Sequence, residues 1–385
     1  MWIDRDFSER ILAAARARPA VVVTGARQVG KSALVRRLFP EHSYVSLDLP
    51  SLAAEAEEEP ASFLARFPPP VVIDEVQYAP GLFRHVKRVI DEHRDRRGQF
   101  ILTGSQKFQL MHSVSDSLAG RVAVLDLLPL SFSEIRGAYP DYPLAMALLR
   151  GGYPELYADP ELSAPAFYRA YLATYLERDL RQLLKVVHLR DFERFVRACA
   201  FRSAQILNKS DLARDVGISP STANEWLGAL EASNQVALLE PWFSNQNKSL
   251  VKSPKLYLCD TGLLCALLNI SSVDELLRSP HVGAIWETLV FNELRKTLDR
   301  EDAGPGLFYW RDRKTEVDFL RHKGGRFTLW EAKWSEFPDA RDTAGLVRVR
   351  AELGATQVDG ASVVCRAPAS FALGDGLRAR GLLDL

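Results

Sequence analysis

Eight residues constrain this chain more than any others. Gly25, Ala26, Arg27, Gln28, Val29, Gly30, Lys31 and Ser32 fit the pattern GxxxxGK[ST]. An apolar run, Ala20–Thr24, precedes them, and a helical pattern beginning at Ala33 follows. A glycine-rich turn between strand and helix curls its backbone N–H groups around phosphate oxygens, and the helix start adds partial positive charge. In that setting Lys31 reaches the β- and γ-phosphates and the Ser32 hydroxyl ligates magnesium. The expected ligands are therefore ATP and Mg2+, held by residues 25–33.

The flanking pattern predicts an α/β fold built on a parallel sheet. Ala20–Thr24, Tyr44–Leu49, Val71–Asp74, Phe100–Gly104 and Val122–Leu127 are candidate strands. They are short, apolar and mostly not alternating, as expected when helices cover both faces of a sheet. The third ends in two carboxylates, Asp74 and Glu75. Asp74 is placed to hold magnesium through its water shell, and Glu75 to act as general base toward the attacking water. The fourth ends in Thr103-Gly104-Ser105-Gln106. If that strand lies between the first and third, Ser105 stands near the γ-phosphate as a sensor; a plain strand-to-loop turn gives the same pattern.

These motifs, GARQVGKS, VVIDEVQ, ILTGSQKF, SDSLAGRV and LLPLSFSE, resemble the AAA-type ATPases of bacteria and archaea that carry a C-terminal domain of unknown function. The similarity continues through YLATYLERDL, SPKLYLCDTGL and WRDRKTEVDFL. It implies an ASCE-type sheet, ATP hydrolysis in a homo-oligomer, and an arginine delivered to a γ-phosphate, its own or a neighbouring subunit's. Arg121, just before the last strand of this region, sits where such proteins commonly place that arginine; Arg178 is a rival. An arginine closing a helix, where it favours the dipole, is the other reading of Arg121.

Residues 206–219 read as a helix-turn-helix. Ser210 is a candidate cap for the first helix, Ala213 is small where two helices cross, and Gly217 supplies the turn. Ser219 starts a second helix through Leu230 with Trp226, Leu227 and Leu230 as its buried stripe. Val236–Glu240 then looks like a wing strand, making the segment a winged helix. Ser221, Thr222 and Asn224 would face outward, toward a DNA major groove. Lys209, Lys248, Lys252 and Lys255 would track phosphates, the last three within an acid-free stretch. A winged helix used for packing or assembly is the alternative, and Glu225 on the same face fits it.

Near the C-terminus, Glu316–Arg321 and Phe327–Trp334 read as two strands joined by a turn. Asp318 on one and Glu331 on the other could hold Mg2+ or Mn2+ through hard oxygen ligands. Lys333 shares a strand face with Glu331 and would orient the attacking water, while Glu287 on the preceding helix adds a further carboxylate. The arrangement resembles the PD-(D/E)xK nuclease core, a restriction-endonuclease-like α/β domain, although Val317 stands where a proline is usual. An active nuclease and a degenerate domain used for binding or assembly both follow from it.

The 385 residues suggest two or three domains at roughly 100–200 residues each. The pattern divides into an ATPase core (1–140), a helical connector (141–200), the winged helix (201–260) and the nuclease-like domain (261–385). Formal net charge is zero, so any attraction to nucleic acid must come from a local patch. The four cysteines form no CxxC pair and suit buried positions in a reducing compartment. Acids near the start argue against a signal peptide, and no apolar run approaches the ~18 residues of a membrane span. The combined expectation is a cytoplasmic, DNA-associated ATP-hydrolysing protein acting on double-stranded DNA. The contrasting expectations are an ATPase switch or chaperone-like regulator whose C-terminal domains bind protein, and a DNA-binding regulator whose ATP site gates assembly.

Overall fold

The computed structural model describes residues 2–105, 118–175, 189–242, 253–301 and 306–385. They form two compact units. The first comprises Met1–Leu130, joined by the short segments Tyr153–Glu155 and Ala232–Asn234.

In the first unit, α1 (Ser8–Ala17) leads into β1 (Ala20–Thr24), and α2 (Lys31–Leu38) into β2 (Ser43–Ser46). Two helices, α3 (Pro50–Glu58) and α4 (Pro60–Arg66), precede β3 (Val71–Asp74); α5 (Leu82–Glu92) separates β3 from β4 (Phe100–Thr103), and β5 (Val122–Asp126) closes the unit. The five strands form a parallel sheet in the order β2-β3-β4-β1-β5. Strands β1, β3 and β4 are buried along their whole length, which accounts for their uninterrupted apolar sequences. Val22, Val45, Ile73 and Leu102 pack with Phe83, Val86 and Ile90 of α5 in one core. The second strand ends earlier than its sequence suggests. Leu47 still donates to the Asp74 carbonyl, but Leu49 caps α3, whose first residue is Pro50.

The second unit opens with α6 (Phe132–Ala138), α7 (Leu144–Arg150), α8 (Glu155–Ala158), α9 (Ala164–Tyr175) and α10 (Leu189–Ala200). Buried Asp260 ties α9 and the exit of α7 to α13 (Thr261–Leu267). Its carboxylate accepts from Gly152 N at 2.6 Å and Tyr168 Oη at 2.7 Å, and it caps α13 through Leu263 N.

Between α10 and α13 lie β6 (Gln205–Ile206), α11 (Lys209–Val216), α12 (Pro220–Ala232), β7 (Val236–Leu239) and β8 (Lys255–Leu258). The strands form a small antiparallel sheet in the order β6-β8-β7. The turn after α11 is made by Gly217 at φ 83°, and Trp226, Leu227 and Leu230 are the buried stripe of α12, as the sequence predicts. The cap of α11 is Asn208 rather than Ser210. The Asn208 side chain accepts from the N–H groups of Ser210 and Asp211, so Ser210 falls inside the first turn.

After α14 (Val273–Arg278), the long α15 (Val282–Arg300) leads into β9 (Leu307–Arg311), β10 (Glu316–Lys323) and β11 (Arg326–Ala332). Then come α16 (Ala340–Leu353), β12 (Val358–Val364), β13 (Phe371–Gly374) and β14 (Leu377–Arg380). The six strands run in the order β13-β14-β12-β11-β10-β9. Strands β9, β10 and β11 are antiparallel neighbours, and β12 joins β11 in parallel. Val317, Leu320 and Leu329 pack with Leu346 and Val349 of α16. A bulge between Val317 and Leu320 breaks the alternation of β10 and leaves Asp318 and Phe319 both outside that core. Phe319 meets Phe291 of α15 instead, ring centroids 6.3 Å apart.

Candidate functional site

The phosphate-binding loop leaves β1 at Thr24 and enters α2 at Lys31. Gly25 has φ 143° and Gly30 φ 91°, conformations that glycine adopts without steric cost. A Cβ on Gly25 would lie 2.3 Å from the Leu127 carbonyl oxygen, so the loop presses against the exit of β5 with no room for a side chain. Arg5, buried at 8% exposure, braces the loop from outside by donating to the carbonyls of Val29 at 2.9 Å and Leu128 at 2.5 Å.

Lys31 is 5% exposed, and its ammonium donates to the carbonyls of Gly25 at 3.0 Å and Ala26 at 2.8 Å. Burial pushes it below its ordinary pKa, while the Glu75 and Asp74 carboxylates work in the other direction. A buried cation held at a helix start by carbonyl oxygens is an arrangement that an incoming phosphate completes. The loop therefore fits the triphosphate its sequence implies.

Asp74 is 4% exposed at the end of β3 and gathers three hydroxyls. Ser32 Oγ donates to Oδ1 at 3.0 Å, Thr103 Oγ1 donates to the same oxygen, and Tyr44 Oη donates to Oδ2 at 2.6 Å. The two residues proposed from sequence to serve magnesium, Ser32 and Asp74, thus touch each other, and the hard-oxygen donor set fits that ion. Burial and the hydrogen bond to Asp74 push the Tyr44 hydroxyl well above its usual pKa.

Glu75 follows in a left-handed conformation, φ 55°, uncommon for a residue with a side chain. Its Oε2 accepts from Ser105 Oγ at 3.2 Å, Ser105 N at 3.3 Å and Gln77 Nε2 at 2.5 Å. The order of strands brings Ser105 here, because β4 lies between β1 and β3. Gln77 Oε1 is buried without a hydrogen-bond partner among the described residues. A carbonyl oxygen in that state beside a carboxylate is where a water O–H would be accepted.

The C-terminal carboxylates also meet. Lys255, the first residue of β8, places its ammonium 3.0 Å from Glu287, 2.7 Å from Glu316 and 2.9 Å from Asp318. The other Asp318 oxygen accepts from Ala332 N at 3.0 Å. Glu331 pairs with Lys333 at 2.8 Å and accepts weakly from Asp318 N at 3.4 Å. Burial, then the neighbouring Asp318 charge, pushes Glu287 up to about 7 and Glu331 up to about 8. Burial acts against the Lys255 charge, and Asp318 with its neighbours outweighs it, so the ammonium stays well above its ordinary pKa. Asp318 and Glu331 do not fit a divalent ion as they stand. Their oxygens are taken by protein donors, and no three acidic, histidine or cysteine side chains among the described residues are grouped to hold a metal.

Residues 17–136 match the AAA domain family. Residues 142–274 and 282–383 match two domains of unknown function, DUF8612 and DUF4143. Over 336 residues the chain is 32% identical to the uncharacterized protein Rv2008c of Mycobacterium tuberculosis, covering 87% of this chain and 74% of that protein. Uncharacterized protein Mb2031c of Mycobacterium bovis matches to the same extent. The chain belongs to this family of AAA-domain proteins. Among solved structures it is similar to the Walker-type ATPase PABY2304 of Pyrococcus abyssi, with a TM-score of 0.47 and 17% identity, covering 69% of this chain and 96% of that one.

The AAA domain holds the triphosphate and magnesium candidates together: Gly25 to Ser32, Asp74, Glu75 and Ser105. Ala33 is exposed in the first turn of α2. Arg121 stands apart. It precedes β5, which runs parallel to β1, so it lies at the strand end opposite the phosphate loop and pairs with Ala20 through its carbonyl. Its guanidinium grips Asp91 of α5, at 2.8 and 3.1 Å. Parallel strand direction is a signal the sequence offered: a residue before one strand and a loop after another cannot share an end.

In the DUF8612 region, Ser221 and Asn224 are exposed on α12, Thr222 is half-buried, and Lys209 donates to Asn224 Oδ1 at 2.7 Å. Lys248, Lys252 and Arg178 lie outside the described residues. All four cysteines are buried and outside any disulfide; burial pushes the Cys199 thiol up to about 12. No helix among the described residues is long and apolar enough to cross a membrane. Lys255, read from sequence as a phosphate contact, is instead buried against three carboxylates and cannot face DNA. Sequence reasoning missed Tyr44, Thr103 and Gln77. Only Gln77 carried a signal, its position two residues beyond Glu75.

Proposed function

We propose that this protein hydrolyses ATP with magnesium at the Gly25–Ser32 loop, and that its nucleotide state governs how the segment from α11 to β8 engages double-stranded DNA. The observation that carries the proposal is the meeting of Ser32, Asp74, Glu75 and Ser105 beside the buried Lys31 ammonium. Magnesium bound by Ser32 and Asp74 would neutralise charge on the β- and γ-phosphates. Lys31 turns from its loop carbonyls to the same phosphates. Glu75 accepts the proton of the attacking water, and Gln77 Oε1 orients that water from the other side. Ser105 holds Glu75 in place and senses the γ-phosphate.

Hydrolysis in a homo-oligomer would use Arg121 from a neighbouring subunit, since its own loop is at the other strand end. Arg121 would have to exchange Asp91 for the phosphate. In the cytoplasm, the helix pair α11 and α12 with the β7–β8 strands would serve as a winged helix. It would offer Ser221, Thr222 and Asn224 to base edges, with Lys209 and the lysines at 248 and 252 on phosphates. Metal-dependent strand cleavage is not part of this proposal, given the partners of Asp318 and Glu331.

A second reading, a switch that binds protein through the same segment, is favoured by the neutralised basic groups around α12: Arg214 pairs with Asp211, and Arg202 with Asp215. Salt separates the two. Duplex binding through phosphates should weaken steeply as salt rises, with a log–log slope of roughly −0.9 per phosphate contact. A Lys31→Ala protein should lose ATP binding and turnover. Duplex affinity that ignored both salt and nucleotide would remove the DNA reading and leave the switch; turnover surviving in Lys31→Ala would remove the site.

A further inference from the structure

The ammonium of Lys255 has three N–H donors and three carboxylate partners, one each from Glu287, Glu316 and Asp318. Its side chain is 2% exposed, and the Tyr309 ring lies 5.7 Å away on its flank. Each acid has a second partner as well. Tyr257 Oη donates to Glu287 at 2.7 Å, Arg311 pairs with Glu316 at 2.9 Å, and Ala332 N donates to Asp318. Glu287 on a helix and Asp318 on a bulged strand are two of the acids that sequence alone places in a nuclease-like site. A lysine that meets both, and a third acid, is their counter-charge.

We infer that Lys255 stands in the cation position of this cluster, so that the C-terminal sheet carries the positive charge as a side chain and takes up no divalent metal there. The arrangement has a structural consequence. Lys255 belongs to β8 of the small sheet, while its partners belong to α15 and β10, so the cluster staples the helix-turn-helix segment to the six-stranded sheet. Removing one partner of a buried ion pair leaves the others uncompensated, and three carboxylates freed of their ammonium would be open to a divalent ion as replacement counter-charge. Metal avoidance is thus a property of one residue, and substitution there should reverse it.

The test is Mn2+ uptake by the nucleotide-free full chain, followed by electron paramagnetic resonance, with Asp74→Asn in every sample to remove the carboxylate of the ATP site. Protein that retains Lys255 is expected to take up no tight Mn2+. Lys255→Met is expected to gain a site with at least about ten-fold higher affinity than any residual binding. Adding Asp318→Asn to Lys255→Met should abolish the gain. Tight Mn2+ in the Lys255 protein that disappears on Asp318→Asn would overturn the inference. A cooperatively melting Lys255→Met protein with no gain would do the same. If Lys255→Met does not melt cooperatively, the Lys255 protein with and without Asp318→Asn decides alone: no difference in Mn2+ uptake supports the inference, and a loss contradicts it.

Discussion

Asp74 holds three hydroxyl groups, and only Ser32 among them comes from the phosphate loop. Tyr44 and Thr103 reach it from β2 and β4, the two strands that flank β3 in the sheet. They fix the carboxylate that would serve magnesium, as outer partners of a metal ligand do. Tyr44→Phe should therefore raise the Mg2+ concentration for half-maximal ATPase rate by about ten-fold while leaving the fold intact. An unchanged Mg2+ requirement would show that Tyr44 has no part in positioning Asp74. Gln77 acts on a different quantity. If its Oε1 accepts from the attacking water as proposed, Gln77→Leu should lower kcat by about 100-fold or more with ATP affinity unchanged, the range for a lost proton-handling contact. A matched loss of affinity would instead make Gln77 a brace for Glu75 and Ser105.

At the scale of elements, the phosphate loop is built by close approach. Gly25 touches the Leu127 backbone, and Gly25→Ala would force either the loop or the end of β5 to move. Its cost should be about 2 kcal/mol or more, read as a fall in the melting temperature that added ATP does not restore. The same loop shows how much of the protein its sequence reveals. Strands β1, β3 and β4 are legible because each is buried on both faces and therefore apolar without interruption. The buried stripe of α12 is legible for the matching reason at helical period. The end of β2 is not, because what stops it is Leu49 beginning a proline-led helix. Nor is the bulge in β10, which sets Asp318 beside Phe319 by inserting one residue against β9. Lys255 was legible only as a basic residue in an acid-free stretch, where it reads as a phosphate contact. Its partners lie 32 to 63 positions further along the chain, and nothing local distinguishes a buried lysine from a solvated one.

The molecule as a whole has no net charge, so its electrostatics are local. The C-terminal cluster gives one whole-chain consequence. Glu287 and Glu331 titrate at about 7 and about 8 in the folded protein, above the ordinary 4.5. Between those values the folded state binds protons that the unfolded chain has released, so stability falls as pH rises through that window. Melting temperature should drop from about pH 5 to about pH 8, and Glu331→Gln should flatten the drop. A parental chain whose melting is level across that range would contradict the burial of these acids. Assembly supplies another. If Arg121 serves a neighbouring loop, mixing Arg121→Ala with Lys31→Ala protomers should recover activity that neither has alone; no recovery counts against delivery in trans. The proposed hydrolysis rests most directly on Glu75, which should be needed for turnover and not for binding. Measured side by side, Glu75→Gln should bind ATP as tightly as the parent and turn it over at least about 100-fold more slowly. A Glu75→Gln protein that hydrolyses ATP at the parental rate would contradict that role.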